Sequence, residues 1–121
     1  MAAENIVSLT ENYEFLRVYK KGKAYNGRLV VVYLFKRRDN RKRLGITATK
    51  KVGKACVRNR ARRLIYESVR LFMPMIKPGY DMVVVAKGSI VSSDFSAVFK
   101  EISYFLKKAD VILSAESLPE L

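Results

Sequence analysis

Met82-Val83-Val84-Val85-Ala86 is an unbroken apolar run rich in β-branched residues. A strand with one face in water alternates polar and apolar side chains, so a continuous run predicts an interior strand covered on both faces. The rest of the chain must then supply strands beside it and helices packed on the sheet.

Both are legible. Arg28-Leu29-Val30-Val31-Val32-Tyr33-Leu34-Phe35 reads as a strand, Lys36 to Lys42 as a hairpin-like turn, and Arg43 to Ala48 as a second strand returning antiparallel. Gly45 inside that strand marks a bulge or a close backbone approach. Ser8-Leu9-Thr10-Glu11 has the form of a capping box, and Leu9, Tyr13, Leu16 and Tyr19 follow at helical spacing up to Gly22, predicting a helix over 9–21. Val57, Ala61, Leu64, Ile65, Val69 and Phe72 predict a second helix from Cys56 to Phe72, closed by Met73-Pro74 and the turn Lys77-Pro78-Gly79. Ser92 or Ser93 can cap a third, burying Phe95, Val98, Ile102, Phe105, Leu106 and Ala109. The expectation is one α+β domain over 1–121, with loose tails at about 1–7 and 111–121.

Charge narrows the function. The chain has 24 Lys and Arg against 11 Asp and Glu, a formal charge of +13. Between Arg17 and Arg63 the single acid is Asp39, so one contiguous segment carries the whole excess. Charge of one sign gathered in this way suits a polyanionic partner, nucleic acid first and an anionic membrane second. A membrane partner is disfavoured, because no apolar stretch approaches the ~20 residues of a span and the basic helix lacks the strongly apolar exposed face of a surface anchor. The lone Cys56 excludes an internal disulfide, and Met1-Ala2-Ala3-Glu4-Asn5 lacks the start of a signal peptide; a cytoplasmic protein is expected.

The segment from Lys50 to Arg63, KKVGKACVRNRARR, concentrates this chemistry. If Val57, Ala61, Leu64 and Ile65 are buried, Arg58 and Arg62 share an outer face one turn apart, with Asn59 and Arg63 beyond them, while Arg60 flanks the buried stripe. Such arginines repel one another unless an anion neutralises them, and a guanidinium fork matches phosphate oxygens. Lys50, Lys51 and Lys54 lie at the N-terminal end of the helix, where backbone amides and the dipole add attraction for phosphate. The candidate nucleic-acid-binding set is therefore Lys50, Lys51, Lys54, Arg58, Asn59, Arg60, Arg62 and Arg63. A solvated basic face is the alternative; the absence of intervening acids argues against it.

Autonomous catalysis is not expected. The chain has no histidine, its one cysteine has no base to activate it, and the acids are scattered, so no catalytic or protein-held metal residues and no small-molecule substrate are assigned.

Gly45-Ile46-Thr47-Ala48-Thr49-Lys50-Lys51-Val52-Gly53-Lys54-Ala55-Cys56-Val57-Arg58-Asn59-Arg60-Ala61-Arg62-Arg63 resembles the signature of the bacterial ribonuclease P protein family, an Arg-Asn-Arg helix after a Lys-Lys-Val-Gly loop. The likeness runs from Asn12-Tyr13-Glu14-Phe15 through the last helix. It implies a non-catalytic protein subunit of a ribonucleoprotein endonuclease. In that arrangement a catalytic RNA subunit with Mg2+, held mainly by the RNA, removes the 5′ leader of precursor tRNA. For the fold it implies a single-layer mixed sheet of about four strands with three helices, in the order α-β-β-(β)-α-β-α, and a left-handed parallel β-α-β crossover, against the usual hand. It also implies a leader-binding cleft between the first helix and the sheet. Phe15, Tyr19 and Tyr33 can supply stacking faces there, with Arg28 as a cation and Thr47 and Thr49 as hydroxyls. Tyr66 departs from the basic residue common at its position. A generic RNA-binding or ribosomal-type assembly protein is the alternative that composition alone leaves open.

Overall fold

A computed structural model describes residues 7–112. The elements are β1 (Val7–Ser8), α1 (Asn12–Lys21), β2 (Lys23–Asn26), β3 (Val30–Lys36), β4 (Arg43–Thr47), α2 (Ala55–Phe72), β5 (Tyr80–Ala86) and α3 (Phe95–Lys108). Single 3-10 turns follow α2, at Met73–Met75, and β5, at Gly88–Ser92.

The apolar run lies at the middle of one sheet, ordered β1-β4-β5-β3-β2. β5 pairs antiparallel with β3 and parallel with β4, and β1 adds a short parallel edge to β4. Strand alternation sends Val30, Val32, Leu34, Leu44, Met82, Val84 and Ala86 to one face, where they pack against α2 and α3 in the main core. Tyr33, Phe35, Val83 and Val85 line the other face, beneath α1, in a smaller cluster with Leu9 and Val18. Val83 and Val84 are both wholly buried, as an uninterrupted apolar strand requires.

Several expectations need correction. The sheet has five strands rather than about four, because Lys23–Asn26 and Val7–Ser8 pair. Neither is marked in the sequence: β2 is polar and exposed on its outer side, and β1 is two residues long. The hairpin therefore joins β2 to β3, whereas β3 and β4 run antiparallel but unpaired, with β5 inserted between them. An apolar strand gains more from the sheet centre than a strand carrying Arg43 at its start would. The 37–42 connection is held instead by Asp39, which accepts from Arg37 Nε at 2.9 Å, from Arg37 Nη2 at 2.6 Å and from the Arg41 amide at 3.1 Å.

The first helix begins at Asn12, with Glu11 rather than Ser8 as N-cap, and Glu14 Oε1 accepts the amides of Thr10 and Glu11 at 3.0 Å. Its docked residues are Glu14 and Val18, with Phe15 and Tyr19 half-buried, while Tyr13 and Leu16 face water. The third helix is capped by Asp94, which accepts the Ala97 amide at 3.0 Å, rather than by a serine. Its Glu101 holds the β2–β3 turn, taking the amides of Arg28, Leu29 and Val30 at 2.9–3.0 Å.

The tails are tighter than expected where they are described. Val7 pairs with Arg43; Val111 and Ile112 are buried, Lys77 N–H donates to the Val111 carbonyl at 2.7 Å, and Ile76 bridges Ile112. The remainder of both expected tails, 1–6 and 113–121, lies outside the described residues.

Candidate RNA-binding surface

α2 is amphipathic as its sequence demands. Ala61, Ile65, Ser68, Val69 and Phe72 are buried, with Val57 and Leu64 packed beside them. Rotation of the apolar stripe toward the sheet fixes the opposite face. Asn59 and Arg63 are exposed, and Arg58 and Arg62 are half-exposed. Arg62 Nη2 donates to Asn59 Oδ1, and Arg60 reaches around the helix to donate to the Ser93 carbonyl at 3.0 Å.

Among the described residues, none of Lys50, Lys51, Lys54, Arg58, Arg60, Arg62 or Arg63 meets a carboxylate within ion-pair distance. Lys50, Lys51 and Lys54 are exposed, and Lys54 is the N-cap of α2 without a side-chain hydrogen bond. The first turn of α2 holds no acid, so its backbone amides and dipole are left uncompensated.

A different part of the basic segment is neutralised internally. Asp81, wholly buried, accepts from Arg43 Nε and Nη2 at 2.9 Å and from Arg37 Nη1 at 3.2 Å, and pairs with Arg17 at 3.9 Å. Arg43 also donates to Glu14 Oε2. The amides of Glu11 and Thr10, followed by Arg43, hold the Glu14 carboxyl down at about 2. Arg43 and Arg37 are pushed further up by their carboxylate partners, Asp81 and Asp39 respectively. Composition counts all these arginines alike, but the fold divides them: Arg17 and Arg43 tie α1 to the sheet, Arg37 ties the 37–42 connection to β5, and the cations from Lys50 to Arg63 are left without a carboxylate among the described residues. The signal for this division was the presence of Glu14, Asp39 and Asp81 among so many cations, which periodicity alone cannot interpret.

The aromatic set is partly assembled. Phe15 and Tyr19 lie 6.5 Å apart between centroids, and Tyr19 meets Tyr33 edge-on at 4.9 Å, all three half-buried on the α1 side of the sheet. Thr47, opposite Val85, shares that face, and Thr49 is exposed just beyond the end of β4. Gly45 is a close approach rather than a bulge, because the Phe15 ring occupies the space a Cβ would need. Arg28 does not join this row. It lines a recess of about 290 Å³ with Ser89, Ser92, Ser93 and Asp94, toward α3, because Glu101 anchors its turn there.

Among the described residues no three His, Cys, Asp or Glu side chains converge, and Glu14, Asp39, Asp81 and Asp94 are already engaged within the fold.

A mixed sheet between helices, with an unneutralised arginine helix along one side, defines a small basic α+β protein of the nucleic-acid-binding class. The ribonuclease P family model matches residues 4–110. Curated relatives named ribonuclease P protein component are 43% identical over 104 residues in Clostridium botulinum strain Langeland (85% of this chain, 94% of the relative) and 41% identical over 104 residues in Clostridioides difficile strain 630 (85% and 91%). The Staphylococcus aureus RNase P protein superposes with a TM-score of 0.80 at 29% identity, covering 89% of this chain and 99% of that one. The Thermotoga maritima protein superposes at 0.74 and 30% identity, covering 84% and 96%. The chain belongs to the ribonuclease P protein family, and with it to the protein subunits of tRNA processing.

Proposed function

We propose that this chain docks on a catalytic RNA through α2 and its preceding loop, and that it steadies the single-stranded 5′ leader of precursor tRNA while the RNA carries out cleavage. The observation that carries this reading is the row of Arg58, Arg62 and Arg63 on α2, solvent-facing and without a carboxylate partner among the described residues. Bidentate guanidinium contacts to phosphate position an RNA without requiring its sequence, as a subunit serving many precursor tRNAs must. Mg2+ belongs to the RNA in this scheme. Phe15, Tyr19 and Tyr33 offer ring faces and edges to unpaired bases, a contact that tolerates any leader sequence. Thr47 and Thr49 border that face with hydroxyl groups. Cytoplasmic action follows from these substrates.

Reconstitution tests the reading. The purified chain is mixed with the family's catalytic RNA and a labelled precursor tRNA at low magnesium. Cleavage that depends on the protein supports the assignment; RNA retention with no stimulation would instead mark a general RNA binder.

A further inference from the structure

α2 carries a large aromatic side chain that the fold leaves in water. Tyr66 follows Arg58 and Arg62 at four-residue intervals, so the three form one row along the helix. It is 42% exposed. Tyr66 walls an open recess of about 240 Å³ that also reaches Ser8, Phe15, Gly45 and Ile46.

One side of this recess is the edge of β4 where its pairing with β1 stops. β1 ends opposite Leu44, whose carbonyl accepts the Leu9 amide at 3.0 Å. Backbone groups alternate sides along a strand, so Ile46, two residues further on, points its N–H and C=O the same way. Among the described residues no strand pairs with that edge beyond Leu44, since β1 ends there and β5 occupies the opposite edge. The recess thus combines an exposed ring, a backbone donor and acceptor, the Ser8 hydroxyl and, one turn along the helix, an arginine without a carboxylate partner.

We infer that this recess holds one unpaired RNA nucleotide, with its base stacked on Tyr66, its polar edge at the Ile46 backbone and its phosphate at Arg62. The inference rests on the RNA-docking reading above and adds a nucleotide site at the β4 edge, beside the face formed by Tyr19 and Tyr33. An extended peptide would also match a strand edge, but the adjoining unpaired guanidinium groups favour a phosphate-bearing occupant. Phe15 closes the inner end, held over Gly45 by the absence of a side chain there.

The test compares the full chain with Tyr66→Ala, Tyr66→Leu, Tyr66→Phe and Arg62→Ala in binding the catalytic RNA with precursor tRNA over a range of salt. Loss of a stacked base in Tyr66→Ala is expected to weaken binding about 5- to 150-fold. The slope of log affinity against log salt should stay unchanged, since no phosphate contact is removed. Tyr66→Phe should restore affinity and Tyr66→Leu should not, whereas Arg62→Ala should lower the slope by about one. Wild-type affinity in Tyr66→Ala, or full rescue by Tyr66→Leu, overturns the nucleotide site and leaves the edge to a peptide or to packing alone. Arginine variants that still lost affinity would then leave the docking reading standing. If Arg58→Ala and Arg62→Ala also bound like wild type, the docking reading would fall.

Discussion

Arg43 meets Asp81 side by side across two parallel strands, its Nε donating to Oδ1 and its Nη2 to Oδ2, both at 2.9 Å, with Asp81 wholly buried and Arg43 only 7% exposed. The same guanidinium extends to Glu14 on α1, so one side chain joins the first helix to the centre of the sheet. The helix that supplies Phe15 and Tyr19 to the aromatic row is thus positioned by a charge network as well as by Val18.

Removing one partner from such a network leaves a charge buried without compensation. Asp81→Asn should destabilise the protein by about 3–5 kcal/mol, read as a lowered midpoint in urea unfolding. A variant as stable as wild type would mean that the neighbouring arginines find water or another carboxylate.

Acid should loosen the same junction. The Glu14 carboxyl is lowered from 4.5 to about 2, so between those values the unfolded chain binds the proton that the folded chain refuses. Its contribution is therefore fully present above pH 4.5 and is lost as pH falls toward 2. Thermal melts across that range should show Glu14→Gln with a flatter acid limb than wild type; parallel limbs would exclude Glu14 as a source of the acid sensitivity.

The cations of α2 predict a different signature, one of binding rather than folding. Affinity for the RNA partner should fall by roughly 10³–10⁵ between 50 and 200 mM salt if ~6–10 phosphates are neutralised. Arg58→Ala with Arg62→Ala should reduce the log–log slope by about two while leaving the melting temperature nearly unchanged, because neither side chain holds the fold to another element. Normal assembly of the double variant would move the contact surface elsewhere.

Gly45 offers a probe of the aromatic row. A methyl group there collides with the Phe15 ring and crowds Leu9, so Gly45→Ala should cost about 1–3 kcal/mol and displace Phe15. Chemical-shift changes confined to α1 and β4 would report that displacement; an unperturbed Phe15 would show that the strand yields instead.

Local signals were legible in advance where one pattern dominates. The apolar run of β5, the stripe of α2 and the turn at Pro78-Gly79 each satisfy a local rule, and the structure places them as read. The outward row Arg58, Asn59, Arg62 and Arg63 follows from the same stripe, because a helix that buries Ala61 and Ile65 has only one other side to present. The reach of Arg60 around that stripe is also a matter of helical angle.

By itself, then, the sequence determined an interior strand, a basic amphipathic helix and a segregated charge, together with a motif specific enough to indicate a family. Only the tertiary structure decided that β5 enters between β3 and β4, that Asp81 and Glu14 draw Arg43, Arg37 and Arg17 into the fold, and that Arg28 turns toward α3. The reason is distance along the chain. Helical and strand periodicity act between near neighbours, whereas Glu14, Arg43 and Asp81 meet only after the sheet has brought remote segments together, and an arginine bound for a buried carboxylate carries no local mark to distinguish it from one bound for phosphate.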